Sequence, residues 1–215
     1  MIKCPLKKRD KKMRFPGKKI KNKVITILAR TSPGIVAVVL FLLTGYASEI
    51  LIFDRDAIAA GQIWRLVTGH FVHCDSEHLL LNLLGIWGLI FIFDRLSAKA
   101  IWLWLAAGII MVDAWIWFRM PELNLYCGLS GIENSLLAAG LISVWNSSQQ
   151  KLAVIAAVLS MGKIIYEIYT NTPLFSHISW ASVPEVHGAG FAAGVLLPAF
   201  ICFKNPLNRN FLWLK

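Results

Sequence analysis

The stretch YCGLSGIENSLLAAGLISVW, Tyr126 to Trp145, decides how the chain is read. It sets Ser130 between two glycines and continues as an apolar run that stops before Asn146, Ser147 and Ser148. From Ser130 to Trp145 there are about 16 residues, roughly 24 Å of helix, against a bilayer hydrocarbon core of about 30 Å. Such a helix cannot cross alone. With its other end level with its neighbours, Ser130 lies below the opposite surface, and residues 121–129 must dip inward to reach it. Irregular backbone at that depth needs protein or trapped water to satisfy it, so the pattern implies a wet internal cavity.

Composition sets the context for that helix. The 215 residues are 57% hydrophobic and 16% charged, with a mean hydropathy of +0.61, far more apolar than a soluble domain. Hydropathy predicts spans near 34–53, 78–96, 100–120, 130–145, 152–170 and 186–203. The fold class expected is all-α, a polytopic bundle of six transmembrane helices, divided as a basic cytoplasmic tail (1–33), a membrane domain (34–203) and a short cytoplasmic C-terminal tail (204–215).

The net charge of +10 would suit a nucleic-acid binder, but its distribution does not: 12 of the 22 Lys and Arg lie between Lys3 and Arg30. That segment has one aromatic residue, Phe15, rather than an aromatic–basic alternation, and directly precedes the first apolar run, so it reads as a positive-inside anchor against anionic lipid, with no nucleic-acid partner. A cleaved signal peptide fits less well, because Ala47-Ser48-Glu49 is a poor cleavage site. With both termini cytoplasmic, the segments 54–77, 121–129 and 171–185 face outward and carry only Arg55 and Arg65, with Arg119 at the adjoining end of the third span.

Two histidines fall near the depth of Ser130: His78 at the start of the second span and His187 at the start of the sixth. His78 and Asn82, four residues apart, share a helix face, and so do His187, Gly190 and Gly194. Gly190 and Gly194, with Gly131 and Ser135, permit close helix approach. A serine hydroxyl needs a base at hydrogen-bond distance to become a nucleophile, and an imidazole is suited. Ser130 is therefore the candidate nucleophile and His187 the candidate base. Gly128 and Leu129 place main-chain N–H groups near a developing oxyanion, with His78 and Asn82 as side-chain donors.

The motifs WR at 64–65, HLLLN from His78, GLSG from Gly128 and HGAGFAAG from His187 resemble, as an ordered set over about residues 50–203, the rhomboid intramembrane serine proteases. The resemblance implies a six-helix fold, a Ser130–His187 dyad without an acid, oxyanion donation from His78 and Asn82, and no cofactor or metal. The run GQIWRLVTGHFVH with HLLLNLLGIWGL is similar to the rhombosortase branch of Gram-negative bacteria. That likeness implies an inner-membrane location with the site open to the periplasm, and substrates that are exported proteins ending in Gly-Gly, a transmembrane tail and basic residues. It also implies transfer of the new C-terminus to an amine-bearing lipid acceptor.

Other residues are open to several readings. Where rhomboids often carry an aromatic residue four positions after the serine, this chain has Asn134, a candidate partner for the imidazole. Glu133 is expected to pair inside the bundle with Lys163, while Lys163 and Glu167 are also spaced as an i, i+4 pair. His70, His73 and His78 form H-x2-H-x4-H, a weak metal signal without H-E-x-x-H. His177 has no motif around it. Cys4, Cys74, Cys127 and Cys202 have no metal-ligand spacing; Cys74 and Cys127 read as small buried thiols or as a pair in an oxidising compartment. Two other functions compete: a non-catalytic rhomboid-like protein that grips transmembrane segments, and a transporter, which would need symmetric broken helices.

Overall fold

The structure, a computed structural model, describes residues 16–45, 48–144, 149–172, 174 and 183–204, with backbone alone at 16–19 and 199–204. In chain order the elements are α1 (Pro16–Thr44), β1 (Phe53–Asp54), α2 (Arg55–Ala59), α3 (Arg65–Thr68), α4 (Ser76–Ile92), α5 (Ala98–Arg119), β2 (Leu125–Tyr126), α6 (Ser130–Val144), α7 (Gln150–Thr170) and α8 (Pro184–Lys204). Among the described residues, three helices are long and apolar enough to cross a membrane by length and composition: Ile20–Thr44, Ala98–Arg119 and Gln150–Thr170. The apolar α4 and α6 are shorter, at 17 and 15 residues. The short fourth span is thus present as a helix that begins at Ser130.

End signals explain the boundaries. Asp54, Asp75 and Ser97 accept hydrogen bonds from the N–H groups of Ala57, His78 and Ala100, satisfying first-turn donors of α2, α4 and α5. The first span departs most from hydropathy: it was expected at 34–53, but α1 runs from Pro16 to Thr44. Lysines are good helix formers, so the basic stretch from Lys18 to Lys23 is wound into the same helix. Gly45, at φ +73°, ends it by donating to Phe41 O at 2.9 Å, a left-handed stop that hydropathy cannot see. Inside α1, Pro33 lacks the N–H that would bond Ala29 O, and the Ser32 hydroxyl donates to that carbonyl at 2.9 Å instead.

The segments expected to face outward are not plain loops. β1 and β2 pair antiparallel, Phe53 opposite Tyr126 and Asp54 opposite Leu125, tying the stretch before α2 to the stretch before Ser130. Arg55 spans the foot of α5, donating to the carbonyls of Ile116, Trp117, Met120 and Leu123 and placing its guanidinium over the Trp117 ring. Ile116, Trp117 and Met120 lie at the C-terminal end of α5, where a cation is favoured. Buried Arg65 donates to Ile52 O at 2.9 Å and to Gln62 Oε1 at 2.8 Å. The WR motif thereby staples α3 to β1's approach.

α6 packs against α5 and α8 and also touches α4 and α7. Its buried Ile132, Leu136 and Ala139 join Trp104, Leu105 and Val112 of α5 and Val186 and Ala189 of α8 in one apolar core. Buried Ser135 donates to Trp104 O at 2.6 Å, satisfying its hydroxyl between helices. A side chain at Gly190 would collide with the Gly131 carbonyl, and one at Gly194 with the Ser135 carbonyl. The close approach expected from the small residues is therefore present, and it draws α8's first turn against that of α6.

Candidate active site

The approach of α6 and α8 brings Ser130 and His187 together. His187 Nε2 lies 3.0 Å from Ser130 Oγ. His187 is 9% exposed, and Ser130 is half-buried at the start of its helix. The other imidazole nitrogen, Nδ1, lies 3.2 Å from Oε2 of Glu167, a residue the sequence reading had placed only in a local pair. Glu167 Oε2 also accepts from Lys163 Nζ at 2.7 Å, and Oε1 accepts from Leu174 N at 2.9 Å. The imidazole is thus bonded at both nitrogens, by a hydroxyl on one side and a carboxylate on the other.

The turn leading into Ser130 is fixed from several directions. Gly128 has φ +112°, a backbone conformation L side chains rarely adopt, and a side chain there would strike the His78 imidazole at Nε2. Gly128 N donates to Gly69 O at 3.1 Å, while Tyr126 donates its hydroxyl to Gly128 O at 3.1 Å. Burial pushes the Tyr126 phenol up from its usual range, so it stays a protonated donor. The ring of Tyr126 meets His70 edge-on at 5.5 Å, and His70 Nε2 lies 3.1 Å from Asp113 Oδ1 on α5. Leu129 is fully buried beneath this turn, and its carbonyl accepts from Glu133 N.

On α4, His78 Nδ1 is engaged at 3.1 Å by Cys74 Sγ, while Nε2 faces Gly128. Asn82 donates one N–H to His78 O at 2.9 Å, and its buried Oδ1 has no hydrogen-bond partner among the described residues. The two residues expected to assist Ser130 therefore do border its turn, with one Asn82 donor already committed to its own helix.

Two pairings expected from the sequence are not found. Asn134 donates to Ser130 O at 2.8 Å, not to the imidazole, because a side chain in a helix reaches the carbonyl four residues back with least loss of freedom. Glu133 does not pair with Lys163, whose partner is Glu167; it points at Gly85 on α4, with Oε1 unpartnered among the described residues. The three histidines of H-x2-H-x4-H do not converge. His70 turns to Asp113, and His73 packs edge-on to His78 at 4.9 Å between ring centres, its basicity pushed down to about 3 by burial and by His78.

The donor atoms that do gather are those of Cys74, His78 and Cys127, all within 4.8 Å of one another. Among the described residues this is the set whose sulfur and nitrogen chemistry could hold zinc or copper. Contact with Cys127 and His78 brings the Cys74 thiol down to about 6, while burial and Cys74 push that of Cys127 up. Cys4 and His177 lie outside the described residues, and of Cys202 the backbone alone is described.

These features define a helical membrane protein with a serine–histidine pair set inside its bundle. The chain belongs to the rhomboid family, a family of intramembrane serine proteases: the Rhomboid domain model matches residues 60–204, more than half of its length. His78, Asn82, Ser130 and His187 all lie in the matched region. Comparison with individually characterised proteins gives no significant match.

Proposed function

We propose that this protein is an active intramembrane serine protease of the rhomboid type, with Ser130 as nucleophile and His187 as general base. The observation that carries the proposal is the 3.0 Å separation of His187 Nε2 and Ser130 Oγ at the close crossing of α6 and α8. Ser130 Oγ attacks the scissile carbonyl carbon as its proton passes to His187 Nε2, which then returns that proton to the leaving amine. Main-chain N–H groups of Leu129 and Ser130, with His78 and Asn82, stabilise the oxyanion, the Gly128 N–H being committed to Gly69 O, and an acyl-enzyme remains on Ser130.

In this proposal six crossings, α1 and α4 to α8, lie in a bacterial inner membrane with both termini cytoplasmic and the site open to the periplasm. The basic N-terminal run and the sparse charge of the outward segments support that orientation. The substrate class is rhombosortase-like: exported proteins with a C-terminal Gly-Gly motif, a transmembrane tail and a basic end. The 15-residue α6 sinks Ser130 a few Å below the headgroups, where water is scarce and a lipid amine is held at high effective concentration. Attack of that amine on the acyl carbon forms an amide and releases Ser130.

The test is the intact mass of secreted-protein C-termini from cells carrying the wild-type protein or Ser130→Ala. Truncated C-termini that appear only with Ser130 support the protease, and an added headgroup mass supports transfer. Truncation with a free carboxylate, even in membrane fractions, leaves a hydrolase. Identical C-termini in both strains, with tails still bound by the protein, would instead indicate a non-catalytic binder.

A further inference from the structure

We infer that Glu167 completes a Ser130–His187–Glu167 triad as the positioning residue of the imidazole, an inference that rests on the proposed Ser130 chemistry. The two imidazole nitrogens are spoken for on opposite sides: Nε2 at 3.0 Å from Ser130 Oγ and Nδ1 at 3.2 Å from Glu167 Oε2. A carboxylate accepts only, so it accepts a hydrogen bond from Nδ1–H, which keeps the proton on Nδ1 and leaves Nε2 with a free lone pair facing the hydroxyl. That is the tautomer a general base requires, and fixing it is the service an acid performs in a serine triad.

A purely local role does not account for this carboxylate. Glu167 sits in the last turn of α7, at the negative end of the helix dipole, where an acidic group is disfavoured. Its i, i+4 partner Lys163 lies on the N-terminal side, the weaker order for such a pair, and Lys163 is one-third exposed while the Glu167 side chain is 2% exposed. A buried charge needs several partners. Glu167 has them in Lys163, the Leu174 N–H and His187, and these bonds hold both of its oxygens in place. Of the three, His187 alone connects it to another transmembrane helix and to Ser130.

The experiment uses the full chain purified in detergent and a fluorophosphonate as probe, which reads the chemistry of Ser130 without a known substrate. Saturation kinetics separate the maximal inactivation rate from probe affinity. Glu167→Gln should lower the maximal rate roughly 10- to 1000-fold with affinity within about twofold, because a neutral amide supports the required tautomer poorly. Glu167→Asp should recover part of that loss, and Lys163→Gln should cost about fivefold or less. A wild-type rate in Glu167→Gln, or equal losses in Glu167→Gln and Lys163→Gln, would overturn the triad and reduce Glu167 to a structural partner of Lys163. Labelling that is absent from the wild type, or that persists in Ser130→Ala, would instead overturn the Ser130 chemistry itself.

Discussion

Removing one oxygen atom from Tyr126 tests how the turn before Ser130 is held. Tyr126 is 4% exposed and its hydroxyl donates to Gly128 O at 3.1 Å, at a glycine whose φ of +112° a side chain would rarely allow. Tyr126→Phe keeps the ring, its contact with His70 and the packing, so no cavity term enters. What is lost is one buried hydrogen bond, and the Gly128 carbonyl is left without that donor. Such a loss costs about 1–2 kcal/mol, or roughly 2–8 °C in melting temperature for a chain of this size. The rate of fluorophosphonate reaction falls by at most the corresponding Boltzmann factor, about 5- to 30-fold, since only turns still in place carry an oriented Ser130. Thermal unfolding followed by tryptophan fluorescence, alongside labelling kinetics, measures both. An unchanged melting temperature with an unchanged rate would show that the hydroxyl does not hold the turn.

Three further expectations follow from the same contacts. Gly190→Ala drives a methyl group into the Gly131 carbonyl, so α8 must move away from α6; labelling should fall at least tenfold while α-helical circular dichroism is retained, and wild-type labelling would refute the close crossing. His78→Ala should slow turnover roughly 10- to 1000-fold, with Asn82→Ala at the lower end because one of its donors is committed to His78 O; lost affinity with intact turnover would make both substrate-gripping residues. The Cys74 thiol, lowered to about 6, is thiolate above that pH and protonated below it, so its alkylation by iodoacetamide should decline on acidification with a midpoint near pH 6. A midpoint near that of an ordinary thiol would contradict the contact with Cys127 and His78.

The longer apolar helices were legible in the sequence because apolar length is a property of a single segment. The short α6 and its serine followed from counting residues against a bilayer, and the α6–α8 crossing from glycines spaced four apart. What sequence could not supply were partners chosen in three dimensions. Glu167 had a sufficient local explanation in Lys163, four residues away, and nothing in spacing points across to His187 on another helix. Asn134 and Glu133 failed in the opposite sense: distant partners were assigned to groups whose nearest stable contacts lie on their own helix or against a glycine of α4. Cys74 and Cys127 are separated in the chain by two helices, α4 and α5, and their sulfurs meet where the β1–β2 ribbon and the turn at Gly69 bring their segments side by side. The end of α1 was missed because Gly45 is invisible to hydropathy.

The most direct test of the central claim is peptide mapping of the fluorophosphonate adduct on the purified, bilayer-reconstituted chain. The account predicts one adduct, on the peptide containing Ser130, absent from Ser130→Ala and strongly slowed in His187→Ala, with both variants retaining the helical content of the parent. An adduct on any other serine, or equal labelling of Ser130 in the presence and absence of His187, would contradict it.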